Sequence, residues 1–127
     1  MEIKEGYMPF MGYQTYYRIV GKTEEGKSPI ILLHGGPGST HNYFELLDRV
    51  AESGRAVIMY DQLGCGNSFV EGHPGLWTPE TWLNELCALI DYLHIDHFHL
   101  LGQSWGGMLA IIYLIEKQAK GVKSAIL

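Results

Sequence analysis

The sequence predicts an α/β fold, a mostly parallel sheet with helices on both faces and an opening hairpin. Three runs carry this: "PIILLHGG" (29–36), "RAVIMYDQ" (55–62) and "FHLLGQS" (98–104). Each is short, almost continuously apolar, and ends in glycine or polar residues, the pattern of a strand buried on both faces. Segments of helical character lie between and after them, at 41–53, 79–95 and 105–119. Strands alternating with helices imply a parallel sheet covered on both sides.

Taken in order, "EIKEGYMPF" and "TYYRIVG" flank Gly12 and read as the hairpin. "KTEEGKS" (22–28) is a charged surface turn. In "HNYFELLDRVAES" (41–53) the residues Phe44, Leu47 and Val50 fall at roughly helical spacing, and Gly54 stops the helix. Residues 63–78 form a glycine-rich loop containing Pro74. Thr78 is placed as an N-cap with Pro79 at the first helical position, which starts a long helix over 79–95. "WGGMLAIIYLIEKQA" (105–119) is apolar nearly all round and is expected to be sandwiched. "VKSAIL" (122–127) reads as a further strand.

The 127 residues suit one domain, and 46% hydrophobic content is enough for a core. A net charge of −5, with acidic residues scattered along the chain, argues against a nucleic-acid or anionic-membrane surface. The start, "MEIKEGYMPF", lacks the pattern of a signal peptide, and the apolar stretch around "MLAIIYLI" is too short to span a bilayer. Cys65 and Cys87 have no metal-ligand spacing and form no disulfide framework. They read as reduced thiols, and the expected location is the cytoplasm.

Gly102-Gln103-Ser104-Trp105-Gly106 lies where the third buried run ends and a helix begins. Ligands of open α/β sheets bind at the carboxyl ends of strands, and G-x-S-x-G there makes a nucleophile elbow, which presents the serine hydroxyl at a tight turn. Gly102 and Gly106 avoid collisions across that turn. The N–H of Trp105, opening the helix, points toward charge forming beside Ser104. The alternative is a helix merely capped by Ser104. A second donor should come from the loop after the first buried run, which reads "HGGPG", His34 to Gly38. Its two glycines let backbone N–H groups turn inward, and Pro37 stiffens the bend. An ordinary Gly-Pro turn would not explain two such bends expected at one sheet edge.

"HGGPG" (34–38), "YDQLGCGNS" (60–68) and "GQSWGG" (102–107), in this order and separation, resemble the proline iminopeptidase group of α/β-hydrolases. The similarity runs the length of the chain. It implies an α/β-hydrolase fold and a cofactor-free, metal-free serine peptidase that removes an N-terminal residue, typically proline, from short peptides. Ser104 would be the nucleophile, the N–H groups of Gly36 and Trp105 the oxyanion hole, and His34 and Gly35 the wall of the site. Asp61 and Gln62 would close the loop beneath it, with structural hydrogen bonds at a strand end as the preferred assignment. Gly64, Gly66 and Ser68 would shape the backbone.

A serine triad in this fold runs Ser, then Asp or Glu, then His. After Ser104 the sequence offers only Glu116 and no histidine. His94, His97 and His99 flank the third strand at the end away from the elbow, and neither His41 nor His73 matches the family's base. By resemblance, residues 1–127 are the N-terminal part of a single α/β-hydrolase domain, truncated before the cap and final strands. Without its base such a site keeps only residual catalysis, on the order of 10³–10⁴ over water in serine proteases. The chain by itself is therefore expected to be inactive, and to self-associate or pair with the missing C-terminal segment. Two other assignments remain open: an amino-acid amidase or esterase of the same fold, and a non-catalytic binding or assembly module. Epoxide hydrolases and dehalogenases fit less well, since they attack with a carboxylate.

Overall fold

The computed structural model describes residues 2–127 apart from 37–39, 71, 73, 74 and 76. Pro37, Gly38, His73 and Pro74, singled out above, lie outside the described residues. Strands β1 (Ile3–Phe10) and β2 (Tyr13–Val20) form the expected hairpin, pairing Phe10 with Tyr13 around the positive-φ residues Met11 and Gly12. The sheet continues with β3 (Ile30–Leu33), β4 (Val57–Tyr60), β5 (Phe98–Gly102) and β6 (Val122–Ile126) in the order β1-β2-β4-β3-β5-β6. The β1–β2 and β2–β4 pairs are antiparallel, while β4–β3, β3–β5 and β5–β6 are parallel.

Alternation along the central strands divides the core between two faces. Ile31 and Leu33 of β3 and Ile58 and Tyr60 of β4 pack toward helices α1 (Pro79–Tyr92) and α2 (Trp105–Glu116). Leu32, Val57 and Met59 pack the other way, against Phe44 and Ala51 of a 3-10 helix over His41–Ser53. That helix is tied to the sheet by the paired Arg18–Asp48 contacts at 2.7 and 2.8 Å. It ends at Gly54 in the left-handed region, as its sequence requires. Thr78 caps α1, its hydroxyl accepting from Thr81 N–H at 3.2 Å.

Helix α2 departs from expectation. Gly106, Gly107, Leu109, Ala110 and Tyr113 are buried, but Met108, Ile111 and Ile115 are exposed on its outer side. Among the described residues it is covered on one side only. An apolar composition shows that a helix has two oily faces, not what covers each one. Both long helices also end about three residues early, at Tyr92 and Glu116.

Candidate active site

The parallel strands β4, β3 and β5 lie side by side, so their carboxyl ends deliver Asp61-Gln62, His34-Gly35-Gly36 and Gln103-Ser104 to one edge of the sheet. Ser104 sits at the N-cap position of α2 with φ 57° and ψ −118°, is exposed, and makes no side-chain capping hydrogen bond. The simple capping alternative therefore fails. A non-glycine residue in this region costs about 1–3 kcal/mol and persists only where its surroundings impose it. Here two glycines impose it. A Cβ on Gly102 would stand 2.3 Å from Gly106 O, and one on Gly106 would stand 1.9 Å from Leu33 O. The second collision is with β3 rather than across the turn, so Gly106 seats α2 directly on the strand that leads into the 34–36 bend.

The two bends meet. A Cβ on Gly35 would lie 3.3 Å from Ser104 Cβ and 2.8 Å from Gln103 Oε1. Among the described residues the Trp105 N–H, first of its helix, has no hydrogen-bond acceptor, while Gly106 and Gly107 N–H bond back to Gln103 and Ser104 carbonyls at 2.9 Å. Gly36 adopts φ 128°.

His34 turns inward and is fully buried, so its ring lies under the loop rather than at the surface of the site. One ring nitrogen, Nδ1, is 2.6 Å from Gly35 O, and Nε2 accepts the Gln62 N–H at 2.9 Å. With both nitrogens committed, burial holds its pKa below the ordinary imidazole value and the ring stays neutral. The Gln62 side chain donates to His34 O and accepts the Trp105 indole N–H, each at 2.9 Å. Gly35 N–H donates to the Tyr43 hydroxyl at 2.6 Å, which donates in turn to Gln103 Oε1 at 2.8 Å.

Asp61 is buried and organises the neighbouring loop. It accepts from His41 N–H at 2.9 Å, His41 Nδ1 at 2.6 Å and Asn67 N–H at 3.0 Å. The far nitrogen of His41 faces Glu45 at 3.1 Å. Burial alone would disfavour both charges, but these contacts outweigh it: Asp61 is held below its ordinary pKa and His41 above. The Ser68 hydroxyl accepts from Tyr16 N–H and donates to Asp61 O, which fixes the loop to β2. The structural assignment of Asp61 and Ser68 therefore holds. None of the histidine hydrogen bonds among the described residues reaches Ser104: His41 serves Asp61 and Glu45, and His99 contacts Ser124 and Arg55.

Sequence reasoning passed over several groups. Trp105 packs edge-on against Trp82, which stacks on Trp77 and donates to Leu63 O at 3.1 Å. Glu85 is fully buried between Thr15 Oγ1 and Leu63 N–H, and burial pushes its carboxyl up to about 7 despite those hydrogen bonds. A signal existed, since Glu85 follows Trp82 by three and precedes Leu89 by four, on the apolar face of α1. The Tyr60 hydroxyl, also buried, has no partner among the described residues. A hollow of about 930 Å³ lies elsewhere: Pro29, Ala56, His94 and His97 line it at the opposite end of the strands. Among the described residues no cluster of His, Cys, Asp and Glu could hold a metal, and no helix is long and apolar enough to cross a membrane.

A family model described as the alpha/beta hydrolase fold matches residues 28–127. The chain belongs to that family. As an alpha/beta hydrolase it is 68% identical over 127 residues to a proline iminopeptidase of Clostridioides difficile and 62% identical to one of Clostridium botulinum. Each match takes in the whole of this chain and 43% of the relative. The crystal structure of a proline iminopeptidase from Mycobacterium smegmatis superposes with a TM-score of 0.85 at 38% identity, over 96% of this chain and 42% of that one. The resemblance read from three motifs thus extends over every residue of this alpha/beta hydrolase, which spans less than half the length of those relatives.

Proposed function

We propose that this chain carries the nucleophile and oxyanion loop of a serine aminopeptidase of the proline iminopeptidase type. The observation that carries the reading is the meeting of the 34–36 bend with an exposed, positive-φ Ser104. Ser104 Oγ attacks the carbonyl of an N-terminal residue, proline in the first instance. The tetrahedral oxyanion is held by Gly36 and Trp105 N–H, Gly35 forms part of the wall, and the His34 backbone is held beneath. The histidine base takes the Ser104 proton and passes it to the leaving amine. Collapse thereby breaks the amide bond, expels the shortened peptide and leaves an acyl-enzyme, which water hydrolyses. A histidine base and its orienting acid are assigned to the part of the relatives' length that this chain does not span, and residues 1–127 to the N-terminal part of one domain. Cytoplasmic residence is part of the same reading and is consistent with the lack of a disulfide among the described residues.

The test is reconstitution. The chain is expressed alone, and together with the portion of the Clostridioides difficile relative that it does not match, and hydrolysis of prolyl-p-nitroanilide is followed. Turnover is expected from the pair only, and is expected to vanish in Ser104→Ala. Hydrolysis that survives Ser104→Ala would overturn the serine mechanism, and Ser104-dependent hydrolysis by the chain alone would overturn the missing base. Preference for alanyl amides or simple esters over the prolyl amide would move the assignment to an amidase or esterase.

A further inference from the structure

The last sheet contact between the two bends is Gln103 N–H to Leu33 O, at 3.2 Å. Beyond it, no backbone hydrogen bond among the described residues joins residues 34–36 to 103–105, and side chains add to the close packing of Gly35 and Gly106 there. Two relays span the gap. The inner one runs from the His34 carbonyl through the Gln62 amide to the Trp105 indole, with Gln62 almost wholly buried. The outer one runs from Gly35 N–H through the Tyr43 hydroxyl to the Gln103 side chain, with Tyr43 39% exposed at the surface.

We propose that Gln62 and Tyr43 are positioning residues that hold the Gly36 and Trp105 N–H groups at a fixed separation, one from beneath and one from the surface. This rests on the hydrolase reading for its catalytic meaning. Each has the chemistry the task needs. Gln62 needs a donor facing a carbonyl and an acceptor facing an indole N–H, which among neutral side chains of this length only a carboxamide supplies. Tyr43 needs one oxygen that accepts from an amide and donates to another. The outer relay also occupies Gly35 N–H, so it is the Gly36 N–H that remains for an oxyanion.

A structural role would be satisfied by any well-packed replacement, whereas a positioning role would not. Gln62→Met keeps the volume and removes both inner bonds. Gln62→Glu keeps the indole acceptor and loses the donor to His34 O. Tyr43→Phe removes the outer relay alone. In the reconstituted pair, Gln62→Met and Tyr43→Phe are each expected to lower kcat by about 10- to 100-fold, with KM changed by less than about threefold, because donors displaced by a fraction of an ångström fail mainly in the transition state. In the ¹⁵N-labelled 127-residue chain, both should shift the Gly36 and Trp105 amide resonances. Gln62→Glu should move Gly36 while keeping the Trp105 indole N–H hydrogen-bonded and protected from exchange. Variants that lose thermal stability but retain kcat, or that change only KM, would overturn the proposal. So would unchanged Gly36 and Trp105 resonances in folded variants, a result that stands whether or not the pair turns over. Absence of turnover from the unsubstituted pair counts against the hydrolase reading alone, and the amide resonances then decide the positioning.

Discussion

Gly106 approaches Leu33 so closely that a Cβ on the glycine would stand 1.9 Å from the leucine carbonyl oxygen. The obstacle is backbone, which cannot rotate away, so α2 would have to lift from β3. Gly106→Ala is therefore expected to destabilise the protein by more than about 3 kcal/mol, at the upper end for added atoms in a packed interior. Urea unfolding checks this; a loss under about 1 kcal/mol would mean that the helix slides on the strand at little cost.

Glu85 makes stability depend on pH. Its carboxyl is raised from 4.5 to about 7 by burial, so the folded state holds the proton more tightly than the unfolded chain. Raising the pH from the lower value to the upper one then favours unfolding, by roughly 3 kcal/mol in total. Glu85→Gln is expected to flatten that decline and to exceed the unsubstituted protein in stability at about pH 8. Urea midpoints for both proteins on either side of neutrality give the answer, and parallel curves would refute it.

The His41–Asp61 pair has its own window. Asp61 lies below its ordinary 3.8, so its contribution is complete above that value and lost as the pH falls through the lowered folded pKa. His41 lies above its ordinary 6.5, so its share is complete below that value and lost as the pH rises through the raised folded pKa. Between the two the pair contributes most. Asp61→Asn should cost about 3 kcal/mol there, because it leaves a buried imidazolium with only the half-exposed Glu45 as counter-charge, and less in alkali once His41 is neutral. Thermal unfolding across the range checks both limbs.

Met108, Ile111 and Ile115 recur at helical spacing on the outer side of α2, and Ile115 is 69% exposed. An apolar stripe of this kind favours association. Sedimentation of the 127-residue chain should show mass rising with concentration. Ile115→Lys should shift it toward the monomer without altering the circular dichroism. A monomer at all concentrations would show that the stripe is tolerated in water.

The strands, the hairpin and the helix starts were legible because each has a local cause: continuous apolar runs, Gly12 at a positive φ, and the Thr78-Pro79 start. Helix ends were not, since α1 and α2 stop without glycine or proline at the break, near the positive-φ residues His94, Gln118 and Ala119. The Ser104 turn was legible because glycines mark close approach in the sequence itself. The relays were not. Tyr43 and Gln103 are 60 positions apart, and Gln62 and Trp105 are 43 apart, so only the folded sheet brings them together. The motif's nearness to the serine turn places His34 at the wall, but the direction of its ring depends on Gln62.

The hollow beside His94 and His97 has a practical consequence for chemical biology. A compound seated there would lie at the end of the strands away from Ser104, so on the proposed serine hydrolase reading it should leave turnover by the reconstituted pair untouched. On that same reading, inhibitors are better sought among electrophiles that react with the Ser104 hydroxyl, with Ser104→Ala as the control that separates the two populations of hits.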